Sequence, residues 1–105
     1  MIDLEKARRE TLRWRILVAL NVSRPEPVDE GLLLSVLTDT KLQVSTRELR
    51  RELDYLAERE LATLQGKDGP LWMAGLTRHG VDVVEYTVEC QPGIARPPKY
   101  WAGDR

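Results

Sequence analysis

Three arginines are spaced so that they would share one side of a helix. Arg47, Arg50 and Arg51 stand at positions i, i+3 and i+4, and Thr46 precedes them. A guanidinium group can donate two hydrogen bonds to O6 and N7 of guanine in the major groove, a contact that discriminates bases by roughly 1–3 kcal/mol. Lys67 lies in a later turn rich in Gly and Pro, where it could contact phosphate. If this helix enters a major groove, one hypothesis is therefore a duplex DNA site at Thr46, Arg47, Arg50, Arg51 and Lys67.

The acidic neighbours of these arginines support a second interpretation. Arg50 would reach Asp54, and Arg51 stands beside Glu48 and Glu52. The helix that holds them contains four arginines and five acidic residues between positions 45 and 60. In this interpretation the arginines belong to a solvated, neutralised helix face that contacts no DNA.

The charge of the whole chain is balanced. Over 105 residues, 16 Lys and Arg face 17 Asp and Glu, which gives a formal net charge of -1. Attraction to a polyanion must therefore be local. Residues 3–15 contain five basic and three acidic residues, and the tail adds Arg96, Lys99 and Arg105 against Asp104. Such surpluses could supply phosphate contacts that weaken with salt, although for any one of these residues a solubilising charge is the more common role.

The sequence offers little for catalysis or metal binding. Cys90 is the single cysteine and His79 the single histidine, which excludes an intramolecular disulfide, a multi-thiolate zinc site and a His-rich cluster. The nucleotide-binding patterns GxxxxGK[ST] and GxGxxG do not occur. We therefore expect no enzymatic activity, no cofactor and no metal.

The length and the N-terminus bear on domain number and location. A chain of this length supports one core and is too short for two. Charged residues alternate where a signal peptide would be apolar, and no run approaches the roughly 20 apolar residues of a membrane span. We expect a soluble, cytoplasmic protein with no membrane contact.

Two apolar rows mark the first predicted helix, residues 3–22. The row expected to face the core comprises Leu12, Ile16, Ala19 and Leu20. The other row has heptad-like spacing and comprises Leu4, Ala7, Thr11, Trp14 and Val18. One helix with two apolar rows needs two partners, so we expect an interface at Leu4, Ala7, Trp14 and Val18 with a C-terminal helix or a second subunit. Core packing suits Trp14 equally well.

Capping residues begin the second and third helices. Pro25 and Pro27 end the first helix, and Asp29 caps a short helix at 30–40. Its expected buried stripe is Leu32, Leu33, Val36 and Leu37. The S-x-x-E capping box at Ser45 and Glu48 starts a third helix that runs to about residue 60. Its expected buried stripe is Leu49, Leu53, Leu56 and Ala57.

The remaining residues predict a hairpin, a last helix and a tail. Short apolar runs at 61–65 and 71–76 flank turn residues at 66–70, as in a β-hairpin. Thr77 is expected to cap a helix at 78–88 with an inward row formed by Val81, Val84 and Val88. Four Pro and Gly residues between 92 and 98 predict that the basic tail, residues 91–105, is extended or disordered. In this tail, Trp101 with Tyr100 would dock on a partner or stay mobile.

This order of elements resembles the winged helix-turn-helix superfamily. Residues 44–62, VSTRELRRELDYLAERELA, are similar to its recognition helix and entry strand, and LTRHG at 76–80 is similar to its junction between wing and last helix. The whole chain, with its Pro-rich tail, also resembles the small ArsR-like winged helix proteins of Mu-like phages and prophages. The resemblance implies an α+β winged helix domain at residues 1–90, a tail at 91–105, and a regulatory or assembly role without enzymatic activity in the bacterial host cytoplasm.

Two functions are compatible with this resemblance. The first is a phage-type transcriptional regulator that binds duplex DNA as a homodimer. The second is a winged helix module that binds a phage protein during assembly or DNA packaging and does not contact DNA. Residues 25–40 contain four acidic residues and no Lys or Arg, which favours the second function.

Overall fold

A computed structural model describes residues 3–99 of the chain. Within this range the chain forms four helices and three strands. In chain order they are α1 (Leu4–Val22), β1 (Val28–Asp29), α2 (Glu30–Asp39), α3 (Thr46–Glu58), β2 (Ala62–Gln65), β3 (Met73–Leu76) and α4 (Arg78–Val84). The α+β class is confirmed, and the order of elements is compatible with a winged helix. None of the helices in the described range is both long and apolar enough to cross a membrane.

Each helix begins at a side chain that accepts a hydrogen bond from a backbone amide of the first turn. The caps are Asp3 for α1, Asp29 for α2, Ser45 for α3 and Thr77 for α4. The Ser45 hydroxyl lies 3.0 Å from the amide nitrogen of Glu48. This confirms the predicted starts of the last three helices. A capping box also requires the Glu48 carboxylate to accept a hydrogen bond from the Ser45 amide. That part of the prediction is wrong, because the Glu48 carboxylate pairs with Arg8 of α1 instead.

The sheet contains the predicted hairpin and one strand that the sequence did not reveal. The strand order is β1-β3-β2, and both pairings are antiparallel. β1 follows Pro27 directly and pairs Val28 with Ala74 and Asp29 with Met73. The amide of Glu30 then donates to the carbonyl of Trp72 at 2.9 Å. The start of α2 is thereby attached to the hairpin.

The core confirms the predicted buried stripes of α1 and α3, in which Ala19 and Ala57 are half-buried, and the stripes of α2 and α4 need correction. Leu33 and Leu37 of α2 are buried, but Leu32 is 53% exposed and Val36 is 38% exposed. The reason is that α2 contacts the body along a narrow side, and nothing within residues 3–99 covers its other apolar side. The other buried apolar residues of the helices are Leu12, Ile16, Leu17, Leu20, Leu49, Leu53, Leu56 and Val83.

The C-terminal part is shorter in helix and more closely packed than expected. α4 ends at Val84, four residues before the predicted end, and Tyr86 has a left-handed φ of 64° that a helix cannot contain. As a result Val88 is exposed and Val81 and Val84 are half-buried, and the buried residues of α4 are Gly80 and Val83.

Residues 91–99 form no helix or strand, yet they belong to the folded body. Ile94 is buried with the core, and the amide of Ala95 donates to the carbonyl of Glu10 in α1 at 3.1 Å. The predictions for Tyr100, Trp101 and Arg105 fall outside the described residues.

Candidate functional site

The N-terminal half of α3 presents part of the predicted DNA site to solvent. Leu49 and Leu53 lie on the buried stripe of α3. Arg47 lies on the opposite side of the helix and is exposed, and Thr46 in the first turn is exposed as well. The Arg51 side chain is 67% exposed, and its Nε lies 3.7 Å from Oε2 of Glu52. Thr46, Arg47 and Arg51 are therefore placed where another molecule could reach them.

Arg50 has a different environment. Its Nε lies 2.7 Å from Oε2 of Glu30, and its Nη2 lies 2.6 Å from Oε1. Glu30 is buried at the start of α2, and its Oε1 also accepts the amide of Trp72 at 3.0 Å. Hydrogen bonds from Arg50 hold the pKa of this carboxyl below its ordinary value, against the opposing effect of burial. Arg50 therefore connects α3, α2 and the hairpin, and the expected alternative partner Asp54 is not the one found.

Lys67 of the hairpin turn has a carboxylate partner on α3. Its Nζ lies 2.6 Å from Oδ1 of Asp54, and also 4.9 Å from the ring centre of Trp72. The pair is about half exposed, so water weakens it. Even so, the pair offsets the positive charge of the turn. The turn and the arginines of α3 do not form a continuous positive strip.

Two ion pairs that the sequence analysis missed hold α1 against α3. Arg8 binds Glu48, and Nε of Arg13 lies 2.6 Å from Oε1 of Glu52. Glu52 stands three residues after Leu49 and four before Leu56, and this spacing was the available signal that it lies on the buried stripe. No local signal identified Arg13 as its partner, because the two residues belong to different helices.

The predicted interface row on α1 divides into two places. Trp14 and Val18 border an apolar groove between α1 and α2, which encloses about 450 Å³ and includes the exposed Leu32 and Val36. Leu4 and Ala7 lie exposed near the N-terminal end of α1, outside this groove. Trp14 also contacts the ring of Tyr86 edge-on, with ring centres 6.2 Å apart. One face of Trp14 is therefore used within the fold.

The residues considered for catalysis are not brought together. His79 is exposed on α4, and Cys90 is half-buried beyond its end. Burial raises the pKa of the Cys90 thiol, and the charge of Arg96 opposes this only in part. Residues 3–99 contain no group of three or more His, Cys, Asp or Glu side chains suited to a metal ion.

Comparison with protein-family models, curated proteins and solved structures gives no match for the chain. Its function therefore has to be inferred from the side chains themselves. Two surfaces of the described residues bear on function. The exposed arginines of α3 have the charge to contact a polyanion, and the apolar groove between α1 and α2 has the lining to contact a protein.

Proposed function

We propose that the chain is a non-enzymatic winged helix protein that binds duplex DNA through the N-terminal half of α3, as a phage-type transcriptional regulator. The order of its elements supports the fold, because α2 and α3 precede a hairpin of the kind that forms a wing. In such a fold the second helix of the helix-turn-helix lies in the major groove with its N-terminal residues toward the bases. Here that helix is α3.

The observation that carries the proposal is the exposure of Arg47 and Arg51 on α3. They stand one turn apart, opposite the buried stripe, and Thr46 lies beside them. Two exposed guanidinium groups in the first two turns of a helix match the geometry by which arginine contacts guanine or phosphate. The proposal assigns direct contact to Thr46, Arg47 and Arg51.

Arg50 and Lys67 have positioning roles in this proposal. The bidentate contact of Arg50 with Glu30 ties α3 to α2 and to the backbone of Trp72, which sets the angle at which α3 would enter a groove. Lys67 pairs with Asp54 and would contact phosphate only after that pair opens. Neither residue is needed for the first contact with DNA.

A binding experiment with matched variants tests the proposal. Labelled random duplex is titrated with protein, and fluorescence anisotropy is followed from about 50 to 200 mM salt. The logarithm of the binding constant falls as salt rises, and each lost phosphate contact makes this slope shallower by about one unit. We expect the double variant Arg47→Ala, Arg51→Ala to make the slope shallower by about two units, and the control Arg78→Ala to leave it unchanged. Arg78 is an exposed arginine at the start of α4.

Two results would contradict the proposal. One is the absence of any anisotropy change for the wild type at the lowest salt. The other is a slope for the double variant equal to that of the wild type. Both arginines are exposed, so the double variant should unfold at nearly the wild-type temperature, and a large loss of stability would reassign them to structural roles.

The apolar groove supports a second function, binding of a protein. Val22 of α1 and Leu32 of α2 both line the groove, and they are 80% and 53% exposed. We assign the groove to a second copy of the chain, because an apolar groove lined by exposed apolar side chains can complement itself about a two-fold axis. A dimer formed in this way is compatible with DNA binding and would set the spacing of two half-sites.

Light scattering distinguishes these arrangements. We expect Val22→Glu and Leu32→Glu to convert a dimer into a folded monomer, while the control Leu71→Glu, an exposed position on the hairpin, leaves the dimer intact. A wild-type protein that is monomeric at all concentrations would reject the second copy. If the protein were monomeric and also did not bind DNA, the alternative function would be favoured, namely a winged helix module that binds a phage assembly or packaging protein.

A further inference from the structure

A second, polar cleft lies between α1 and α3 beside the exposed arginines. It encloses about 310 Å³ and is bordered by Arg9, Arg13, Arg51, Glu52 and Tyr55. Three guanidinium groups therefore face one carboxylate. Arg51 belongs both to this cleft and to the outward side of α3, so the cleft is continuous with the proposed DNA-binding surface.

The single carboxylate of the cleft is already neutralised by one of these arginines. Glu52 is buried and accepts from Nε of Arg13 at 2.6 Å. Arg13 also donates from Nη1 to the carbonyl of Gly93 at 2.9 Å, and its guanidinium lies 3.5 Å from the ring centre of Tyr55. Arg13 is therefore held in place by α3 and by the C-terminal segment.

The other two arginines have donor groups that no carboxylate satisfies. Arg9 lies 3.9 Å from Oε1 of the exposed Glu5, and Arg51 lies 3.7 Å from Glu52. Both distances exceed those of a hydrogen bond. The remaining nearby carboxylate, Glu48, accepts two hydrogen bonds from Arg8. Within residues 3–99, the guanidinium groups of Arg9 and Arg51 thus provide a local excess of positive charge with unused N–H donors.

Segment 91–99 contributes to the rigidity of this cleft. Gly93 has a φ of 102°, a conformation that favours glycine, and a Cβ there would collide with the hydroxyl of Tyr55. Because Gly93 lies so close to Tyr55, the carbonyl oxygen of Gly93 is within hydrogen-bond distance of Arg13. The wall of the cleft is therefore fixed before an anion enters, and only the side chains of Arg9 and Arg51 have to be ordered on binding.

We propose that this cleft binds a phosphate group through Arg9 and Arg51, with the Arg13–Glu52 ion pair as its fixed wall. Guanidinium groups bind phosphate oxygens by paired, charge-assisted hydrogen bonds, which matches the donors left unused here. This inference rests on the proposed function, because the phosphate it favours is a DNA backbone phosphate beside the exposed side of α3 that carries Arg47 and Arg51. Phosphate from the medium has the same chemistry and is distinguished by the test.

The test uses the full chain and the variant Arg9→Gln, which leaves Thr46, Arg47 and Arg51 unchanged. Arg78→Gln is the control that removes the same charge elsewhere. Salt-dependent binding of random duplex should give a slope about 0.9 smaller for Arg9→Gln than for the wild type and unchanged for Arg78→Gln. The Arg9 side chain is 36% exposed and its nearest carboxylate contact is the exposed Glu5 at 3.9 Å, so the unfolding temperature should stay close to that of the wild type.

A second measurement separates failure of this inference from failure of the proposed function. Inorganic phosphate is titrated into ¹⁵N-labelled protein, and the Nε–H signals of the arginines are followed by NMR. If duplex DNA binds with an unchanged slope for Arg9→Gln, the cleft proposal is overturned and the proposed function stands. If duplex DNA does not bind, shifts of the Arg9 and Arg51 signals support a site for free phosphate, and the absence of shifts overturns the site.

Discussion

Replacing Glu52 by alanine tests the contact that holds α3 against α1. The Glu52 side chain is 2% exposed, and its partner Arg13 is 14% exposed. Removal of one partner from a buried ion pair costs about 3–5 kcal/mol, because the other charge is left in the interior. Arg13 retains the carbonyl of Gly93 and the ring of Tyr55 as partners. We therefore expect a loss near the lower limit, about 3 kcal/mol of unfolding free energy.

Urea and thermal unfolding, followed by tryptophan fluorescence, measure this loss. For a domain of this size each kcal/mol lowers Tm by about 4–8 °C, so Glu52→Ala should melt at least about 12 °C below the wild type. The control is Arg51→Ala, which removes the exposed neighbour of the same carboxylate. Its unfolding free energy should stay within about 0.5 kcal/mol of the wild type.

A double-mutant cycle with Arg13→Met decides whether the effect belongs to the pair. Once Arg13 is replaced by an apolar side chain, no unpaired charge remains when Glu52 is removed. The double variant should then be less destabilised than the sum of the single variants by about 2–3 kcal/mol. Additive losses, or a Glu52→Ala loss below about 1 kcal/mol, would refute the assignment of this pair as the contact between the two helices.

Three further outcomes follow from buried or crowded groups. Because Arg50 holds the pKa of Glu30 below its ordinary value of 4.5, the stabilisation from Glu30 is complete above that pH and is lost as the pH falls through the lower folded value. Urea midpoints measured from pH 7 to pH 3 should therefore decline less steeply for Glu30→Gln, and an equal decline would contradict this. Alanine is favoured over glycine in helices by about 1 kcal/mol. Gly80→Ala should nevertheless lower Tm, because the added Cβ would overlap the carbonyl oxygen of Leu61. An unchanged Tm would show that α4 can move away from Leu61 without cost. Burial raises the pKa of the Cys90 thiol, so iodoacetamide should modify the folded protein more slowly than the urea-unfolded protein at pH 8, and equal rates would place the thiol in solvent.

Local interactions were readable from the sequence because their partners lie within four residues. The caps at Asp29, Ser45 and Thr77 depend on a side chain and an amide three positions later. The hairpin depends on turn residues between two short apolar runs. The class of the fold, the starts of three helices and the exposure of Arg47 on α3 could therefore be predicted without coordinates.

The partners of the charged side chains depended on tertiary structure. Arg50 had several acidic neighbours in sequence, but it pairs with Glu30, which is 20 residues away and becomes adjacent only because β1 attaches α2 to the hairpin. Glu52 is the buried carboxylate on the apolar stripe of α3, and its burial is tolerated because Arg13 of α1 pairs with it.

The sequence alone determined where the helices begin and which residues each could expose. The tertiary structure alone decided that Arg50 pairs with Glu30, that one side of α2 stays uncovered, and that residues 91–99 pack on α1. The physical reason is range. Capping and turn formation are settled within a few residues of chain, whereas the partner of a charge or an apolar face is settled by whichever distant element the fold brings against it.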